Sequence, residues 1–167
     1  GLEHDVVVTA SNRSGQLYLR RTALVDAGTL AERLDGQAAV EVTLRREGVD
    51  AVARREGEEL RFRPDGDGWA TTGDAGILDQ PDALGRSWAA LANPNAGELL
   101  VSAAEGWEFT DLGGRHHAGG GSHGSLVAGD STVPVLTIGM GADIRRITDV
   151  TPAVRTFFGV DVTADAR

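Results

Sequence analysis

Apolar and polar residues alternate, or apolar residues run together, in short stretches along much of the chain. Such stretches predict strands over Asp5–Ala10, Gln16–Arg21, Val49–Arg54, Leu60–Arg63, Gly68–Thr72 and Glu98–Ala103. Ser11–Gly15 has the composition of a turn and predicts a hairpin between the first two strands. Pro64–Asp67 is a second turn sequence, and it makes the next three strands a small antiparallel meander.

Helical spacing of apolar residues occurs in two segments of the central chain. Thr29–Leu34 starts with a residue that can cap a helix and has Glu32 three positions later, which is the pattern of a capping box. Pro81–Asn93 has apolar residues at spacings of four and three, so that Leu84, Trp88 and Leu91 share one face. Both segments are predicted to be helices.

Two further segments need separate treatment. Asp149–Phe158 is a predicted helix with Asp149 or Thr151 as N-cap, Pro152 at the first helical position and Gly159 just past the end. Gln37–Glu47 fits both the helical and the strand periodicity. Its spacing suits a helix, while its Val-Glu-Val-Thr-Leu run alternates like a strand. Helix is the favoured interpretation.

The glycine-rich segment Gly119–Gly139 combines a His-Gly turn with an apolar run. Glycines around His123 are expected to let the backbone fold tightly and direct the imidazole into a cleft. Thr132–Gly139 is short, apolar and β-branched, which predicts a strand buried on both faces. Together these elements predict an α/β fold with a mixed sheet, flanking helices and the small meander.

Size and composition limit the possible functions. The chain has 167 residues, which suits one domain, residues 1–167. It carries 25 acidic and 16 basic residues, a net charge of −9, which argues against binding a nucleic-acid backbone. It has no cysteine, so a metal site must use His, Asp or Glu. The sequence starts at Gly1 and has its one methionine at Met140, so we expect that a segment precedes it.

No apolar run is long enough to span a bilayer, so a soluble protein without a membrane segment is expected. The compartment is left open, with the cytoplasm slightly favoured.

Candidate metal ligands cluster in the glycine-rich region. They are Asp111, His116, His117, His123 and Asp130. Adjacent histidines usually point in different directions, so at most one of His116 and His117 is expected to join His123; the alternative is that this pair is polar loop surface. Asp130 either caps the turn before Thr132–Gly139, the favoured interpretation, or orients His123.

Other residues are interpreted as structural. Ser122 and Ser125 flank the histidine, but no nucleophile-elbow motif surrounds them. Trp107 and Phe109 are interpreted as aromatic anchors of the core or of a loop, and Arg145 and Arg146 as a solvated pair. The acidic residues Glu58, Glu59, Asp65 and Asp67 are interpreted as solubilising turn residues.

An ordered set of motifs resembles the C-terminal end of the alkaline phosphatase superfamily, nearest to its type I phosphodiesterase/nucleotide pyrophosphatase group. The set consists of SHGSL at Ser122–Leu126, the stretch Asp130–Gly139, and RITDVTPAVRTFFGV at Arg146–Val160. Gly97–Phe109 and Val6–Leu19 extend the resemblance more loosely. The resemblance implies an alkaline phosphatase-like α/β fold of which this chain is the C-terminal portion.

The resemblance also implies a metal-dependent hydrolase of phosphate esters. His123 would be one ligand of a two-metal centre, usually zinc, whose cations lie about 4 Å apart and neutralise the attacking and leaving oxygens. The family's nucleophile strand, N-terminal Asp ligand and Ser-Asp-His-Gly motif do not occur in this sequence. The chain is therefore expected to be inactive alone and to hold no metal stably, because a zinc site needs three or more ligands.

The partners implied are a phosphate-ester substrate in the complete protein and the missing N-terminal part of the domain. Two alternatives stay open. One is a non-enzymatic metal-binding or interaction module built on His116, His117 and His123. The other is a domain that assembles with a separate chain carrying the nucleophile.

Overall fold

A computed structural model describes residues 5–110 and 120–160. The chain divides into two compact units, Gly1–Thr132 and Val133–Arg167. The architecture is mixed α/β, built on a seven-stranded sheet. Among the helices in these ranges, none has the length and apolar character needed to cross a membrane.

The first unit contains the sheet, in which every neighbouring pair of strands is antiparallel. In spatial order it reads β1-β2-β7-β3-β4-β5-β6. The strands are β1 Val6–Ser11, β2 Ser14–Leu19, β3 Val40–Glu47, β4 Asp50–Arg55, β5 Glu58–Asp65, β6 Gly68–Gly73 and β7 Leu99–Ala103. The last of the described strands, β7, thus inserts between the N-terminal hairpin and the four-stranded meander.

One face of the sheet is covered by helix α2, Ala83–Ala92, and a 3₁₀ turn, Ala75–Leu78. Phe62 is fully buried there and meets Trp69 and Trp88 edge-on, with ring centroids 5.9 and 6.5 Å apart. The guanidinium of Arg46 lies 4.1 Å from the centre of the Trp88 ring. Edge-on aromatic pairs and a cation over an indole face are both stabilising, so this cluster is the centre of the core.

The opposite face packs against helix α1, Ala27–Leu34. Leu17, Ala31, Leu99 and Val101 form its buried cluster. Asp26 caps α1 by accepting the backbone N–H of Thr29 at 2.7 Å, and this hydrogen bond lowers the pKa of the Asp26 carboxyl.

Beyond α1 the same face carries crossed ion pairs between neighbouring strands. Arg45 contacts Glu59 and Glu47, both at 2.9 Å, and Arg54 contacts Asp35 at 3.0 Å and Glu59 at 3.4 Å. The sequence predicted that Glu59 is a solubilising turn residue. The structure shows instead that it connects neighbouring strands through ion pairs.

The second unit has one helix, α4, Ile147–Phe157, and no buried residue within its described range, 133–160. Nine of its large apolar side chains are exposed; they are Val133, Val135, Leu136, Ile138, Ile147, Val154, Phe157, Phe158 and Val160. Asp149 accepts the backbone N–H groups of Arg145 and Arg146, and Gly159 follows the helix with φ 65°. The predicted helix is confirmed, but its N-cap is Arg146 rather than Asp149 or Thr151, and Pro152 lies inside it instead of at the first helical position, because the helix begins at Ile147.

Most predicted strands, the hairpin and the helices α1 and α2 are confirmed, but four further predictions about these elements are wrong. Gln37–Glu47 contains strand β3, because β7 and β4 pair with it on both sides and its alternation suits the two covered faces. The cap of α1 is Asp26, not Thr29, because the helix begins earlier. The described strands contain no parallel pair, so the sheet they form is antiparallel rather than mixed.

The fourth correction concerns Thr132–Gly139. This segment has no strand structure and is exposed; Leu136 and Ile138 are 93% and 97% exposed. Apolar β-branched composition indicates a tendency to be buried in a sheet, but a strand forms only against a neighbouring strand. None of the strands in the described ranges pairs with this segment.

Candidate functional site

The turn between β1 and β2 connects distant parts of the first unit. It consists of Asn12, with φ 54°, and Arg13. The backbone N–H of Arg13 donates to the carbonyl of His123 at 3.2 Å, and its carbonyl accepts the N–H of Ala103 at 2.9 Å. Its Nη2 donates to the carbonyl of Ala104 at 3.0 Å. The hairpin turn thus contacts both the end of β7 and the loop that carries His123.

Asp130 completes this connection from within the short helix α3, Ala128–Ser131. Its Oδ1 forms an ion pair with Nη1 of Arg13 at 2.8 Å, and the two side chains are only 7% and 12% exposed. Its Oδ2 accepts both the backbone N–H and the hydroxyl of Ser125, at 3.0 and 2.7 Å. The carboxylate therefore holds the loop from both ends, which agrees with the capping role favoured from the sequence.

The segment after His123 is fixed to the sheet as well. The hydroxyl of Ser102, on β7, accepts the backbone N–H of Leu126 at 2.8 Å. Ser131 donates to the carbonyl of Leu126 at 3.0 Å and accepts Nη1 of Arg86, from α2, at the same distance. The whole span from His123 to Ser131 is therefore attached to neighbouring elements.

Glycine is required next to the histidine. Gly124 has φ 110°, a conformation that other residues adopt only with strain. A Cβ added there would lie 3.4 Å from the hydroxyl of Ser14. His123 itself is exposed, so the imidazole is presented at the surface instead of entering a cleft as expected.

The predicted ligand cluster is only partly described. Asp111, His116 and His117 lie outside the described residues. Within residues 5–110 and 120–160, no group of three or more His, Asp or Glu side chains could hold a metal ion. Within those ranges the histidine available to a metal is the exposed His123, and the carboxylate of Asp130 is hydrogen-bonded to Arg13 and Ser125.

The remaining candidates have structural surroundings. Ser125 is buried and its hydroxyl donates to Asp130, which does not suit a nucleophile. Phe109 packs against the Leu17 cluster, whereas Trp107 is half exposed. Arg145 hydrogen-bonds Asp143, and this contact lowers the pKa of Asp143 and raises that of Arg145.

A cleft of about 220 Å³ lies beside the loop, where Leu126–Ala128 face β3, β4 and the 3₁₀ turn. Arg55 is the cation on its rim, but it contacts Glu41 at 3.3 Å and the carbonyl of Gly76 at 2.9 Å. Its charge is therefore already engaged. The cleft has a buried apolar floor formed by Val42, Ile77 and Leu78.

Sequence reasoning missed Arg13 and Ser102. Arg13 and Asp130 are 117 positions apart, and although Arg13 and Ser102 lie in segments that extend the family resemblance loosely, nothing in those segments singles them out. Only the pairing of β2 with β7 brings their strands together. A weak signal existed for Arg13, since a polar turn between two strands is a common position for functional side chains.

The chain matches no protein-family model, no functionally characterised protein and no solved structure. The resemblance to the alkaline phosphatase superfamily stays a prediction from motifs.

Proposed function

We propose that this chain is the C-terminal part of a metal-dependent hydrolase of phosphate esters, similar to the type I phosphodiesterases, and that His123 is its contribution to a two-metal site. The observation that carries the proposal is the His123–Gly124 turn. It exposes an imidazole, yet Arg13, Ser102 and Asp130 hold the backbone around it. A rigid frame of this kind suits a ligand that must meet partners from another polypeptide segment.

The described residues do not fit a complete metal site. Zinc needs three or more protein ligands, and the ranges 5–110 and 120–160 bring no such group together. We therefore assign the chain no catalytic step of its own. In the complete protein, the metals would supply charge neutralisation at the phosphoryl group, and this chain would orient one ligand.

The apolar surface of the second unit also supports the proposal. Residues 133–142 carry no charge, and Leu136 and Ile138 are almost fully exposed. A short unit with no buried residue in its described range cannot stabilise itself by burial of apolar surface. We propose that the rest of the hydrolase domain covers this surface.

The proposal requires the gene to encode a longer polypeptide, and the test compares this chain with that polypeptide. With zinc present, we expect the longer polypeptide to hydrolyse bis(4-nitrophenyl) phosphate and this chain to show no hydrolysis. His123→Ala in the longer polypeptide should lower the rate by at least about 100-fold, because loss of a direct ligand exceeds the effect of its outer-shell partners. His4→Ala is the matched control and should leave the rate unchanged.

Two results would overturn the proposal. Zinc-dependent hydrolysis by this chain alone, abolished by His123→Ala, would mean that its site is complete. One-to-one zinc binding by this chain at micromolar concentration, measured by calorimetry, would instead favour the histidine-loop module. The upstream coding sequence gives an independent check, since it should contain an Asp-His-Gly motif and, earlier, a Thr or Ser beside an Asp.

A further inference from the structure

We infer that Arg13 and Asp130 are positioning residues that set the conformation of the His123–Gly124 turn before any metal or partner binds. The inference concerns the conformation of this chain, and only its purpose rests on the proposed function. Arg13 is not among the candidate residues that the sequence indicates, and for Asp130 the sequence favoured a capping role over orientation of His123.

The geometry fixes the turn at three backbone atoms within four residues. The carbonyl of His123 accepts the N–H of Arg13, the N–H of Ser125 donates to Asp130, and the N–H of Leu126 donates to Ser102. The ion pair between Arg13 and Asp130 joins the first two of these contacts directly. Rotation of the His123 backbone therefore breaks its hydrogen bond with the N–H of Arg13, and a larger movement of the turn also breaks the charge-assisted contact between Ser125 and Asp130.

Burial makes this pair stiff. Both side chains are nearly inaccessible to water, so a freed carboxylate or guanidinium could not be solvated without opening the loop. The glycine at 124 supplies the unusual φ but has no side chain to hold it, so the restraint has to come from neighbours. Arg13 and Asp130 provide that restraint on opposite sides of the turn.

A similar ion pair elsewhere serves as the control. Arg54 and Asp35 lie 3.0 Å apart with side chains 18% and 11% exposed. Asp35 also accepts a backbone N–H, that of Gly57 at 2.6 Å. This pair thus repeats the chemistry of the Arg13–Asp130 pair, but it joins α1 to the meander and none of its hydrogen bonds involves the histidine loop.

The experiment uses this chain without metal and compares Asp130→Asn with Asp35→Asn by NMR. Amide hydrogen exchange is followed at Arg13, Ser125 and Leu126, and the imidazole signal of His123 is followed with a carbon-13 label. Asp130→Asn should speed exchange at those three amides at least about 10-fold more than at the amides of β4 and β5, and it should shift the His123 signal. Asp35→Asn should speed exchange at the meander and leave the His123 signal in place.

The inference is overturned if Asp130→Asn speeds exchange uniformly and leaves the His123 signal unchanged, since the pair would then stabilise the unit without positioning the turn. If Asp130→Asn does not fold, Ser125→Ala replaces it, because this variant removes one hydrogen bond to Asp130 and keeps the ion pair. Ser125→Ala should shift the His123 signal relative to the unchanged chain, because Asp130 then holds the turn by one contact fewer, and an unshifted signal would again overturn the inference. Neither measurement involves hydrolysis or zinc, so its failure is separate from failure of the proposed function.

Discussion

Arg45 offers a sharp test of how burial, rather than distance, sets the value of an ion pair. Its Nη2 contacts Glu47 and Glu59 at the same distance, 2.9 Å. The side chain of Glu47 is 47% exposed, whereas that of Glu59 is 28% exposed and also contacts Arg54. The side chain of Arg45 is only 8% exposed. The two glutamates should therefore contribute unequally to the stability of the first unit.

The expected magnitudes follow from these surroundings. Glu47→Gln should lower the free energy of unfolding by less than about 1 kcal/mol, because water screens an exposed pair. Glu59→Gln should lower it by about 2 kcal/mol, since the buried Arg45 and the largely buried Arg54 each lose a charged hydrogen bond. The double variant removes both carboxylates that hydrogen-bond Arg45, and loss of the partners of a buried charge costs about 3–5 kcal/mol. We therefore expect the double variant to lose more than the sum of the single variants lose, by up to about 2 kcal/mol.

Urea unfolding followed by tryptophan fluorescence measures these differences. Trp69, Trp88 and Trp107 all lie in the first unit, so the signal reports on that unit alone. In 1 M salt, most of the loss of unfolding free energy caused by Glu47→Gln should disappear, whereas less of the loss caused by Glu59→Gln should disappear. Equal losses for the two single variants, or a strictly additive double variant, would refute the argument from burial.

Two other predictions concern the same unit. Gly97→Ala should lower the free energy of unfolding by about 1–3 kcal/mol, because the added Cβ would lie 2.6 Å from the backbone oxygen of Leu17. Gly129→Ala is the control and should change this free energy by less than about 0.5 kcal/mol, because the space around Gly129 is open. Comparable losses for the two variants in urea unfolding would contradict the prediction. The hydrogen bond from Arg61 lowers the pKa of Glu47 below its usual 4.5, so the charged form stabilises the fold above that pH and the benefit disappears as the pH falls through the lowered value. The difference in unfolding midpoint between Glu47→Gln and the unchanged chain should accordingly be constant near neutral pH and shrink in acid, and a difference that grows in acid would show that the sign is wrong.

Local sequence patterns correctly predicted those elements that depend only on residues close together in the chain. The β1–β2 hairpin, the meander, α2 and the glycine after α4 follow from alternation, turn residues and helix-end chemistry. Gln37–Glu47 shows the limit of such signals, because its helical spacing and its alternation are both real. Pairing with β4 and β7 decided the outcome.

The candidate site shows the same division. The sequence placed the candidate ligand at His123 and required glycine beside it, since only the local backbone is involved. It did not indicate Arg13 or Ser102, whose contacts with the loop span long separations in the chain. Apolar content alone also predicted a buried strand at Thr132–Gly139, where the structure shows an exposed segment.

The sequence by itself determined the local elements of this protein, its acidic character and the position of its His-Gly turn, because each depends on residues a few positions apart. The tertiary structure decided the strand order, the identity of β3 and the contacts that hold the His123 loop. These depend on which strands meet, and an amino-acid pattern states only that a face is apolar, not what will cover it. Insertion of β7 beside β2 brings Arg13 and Ser102 to the loop that carries His123.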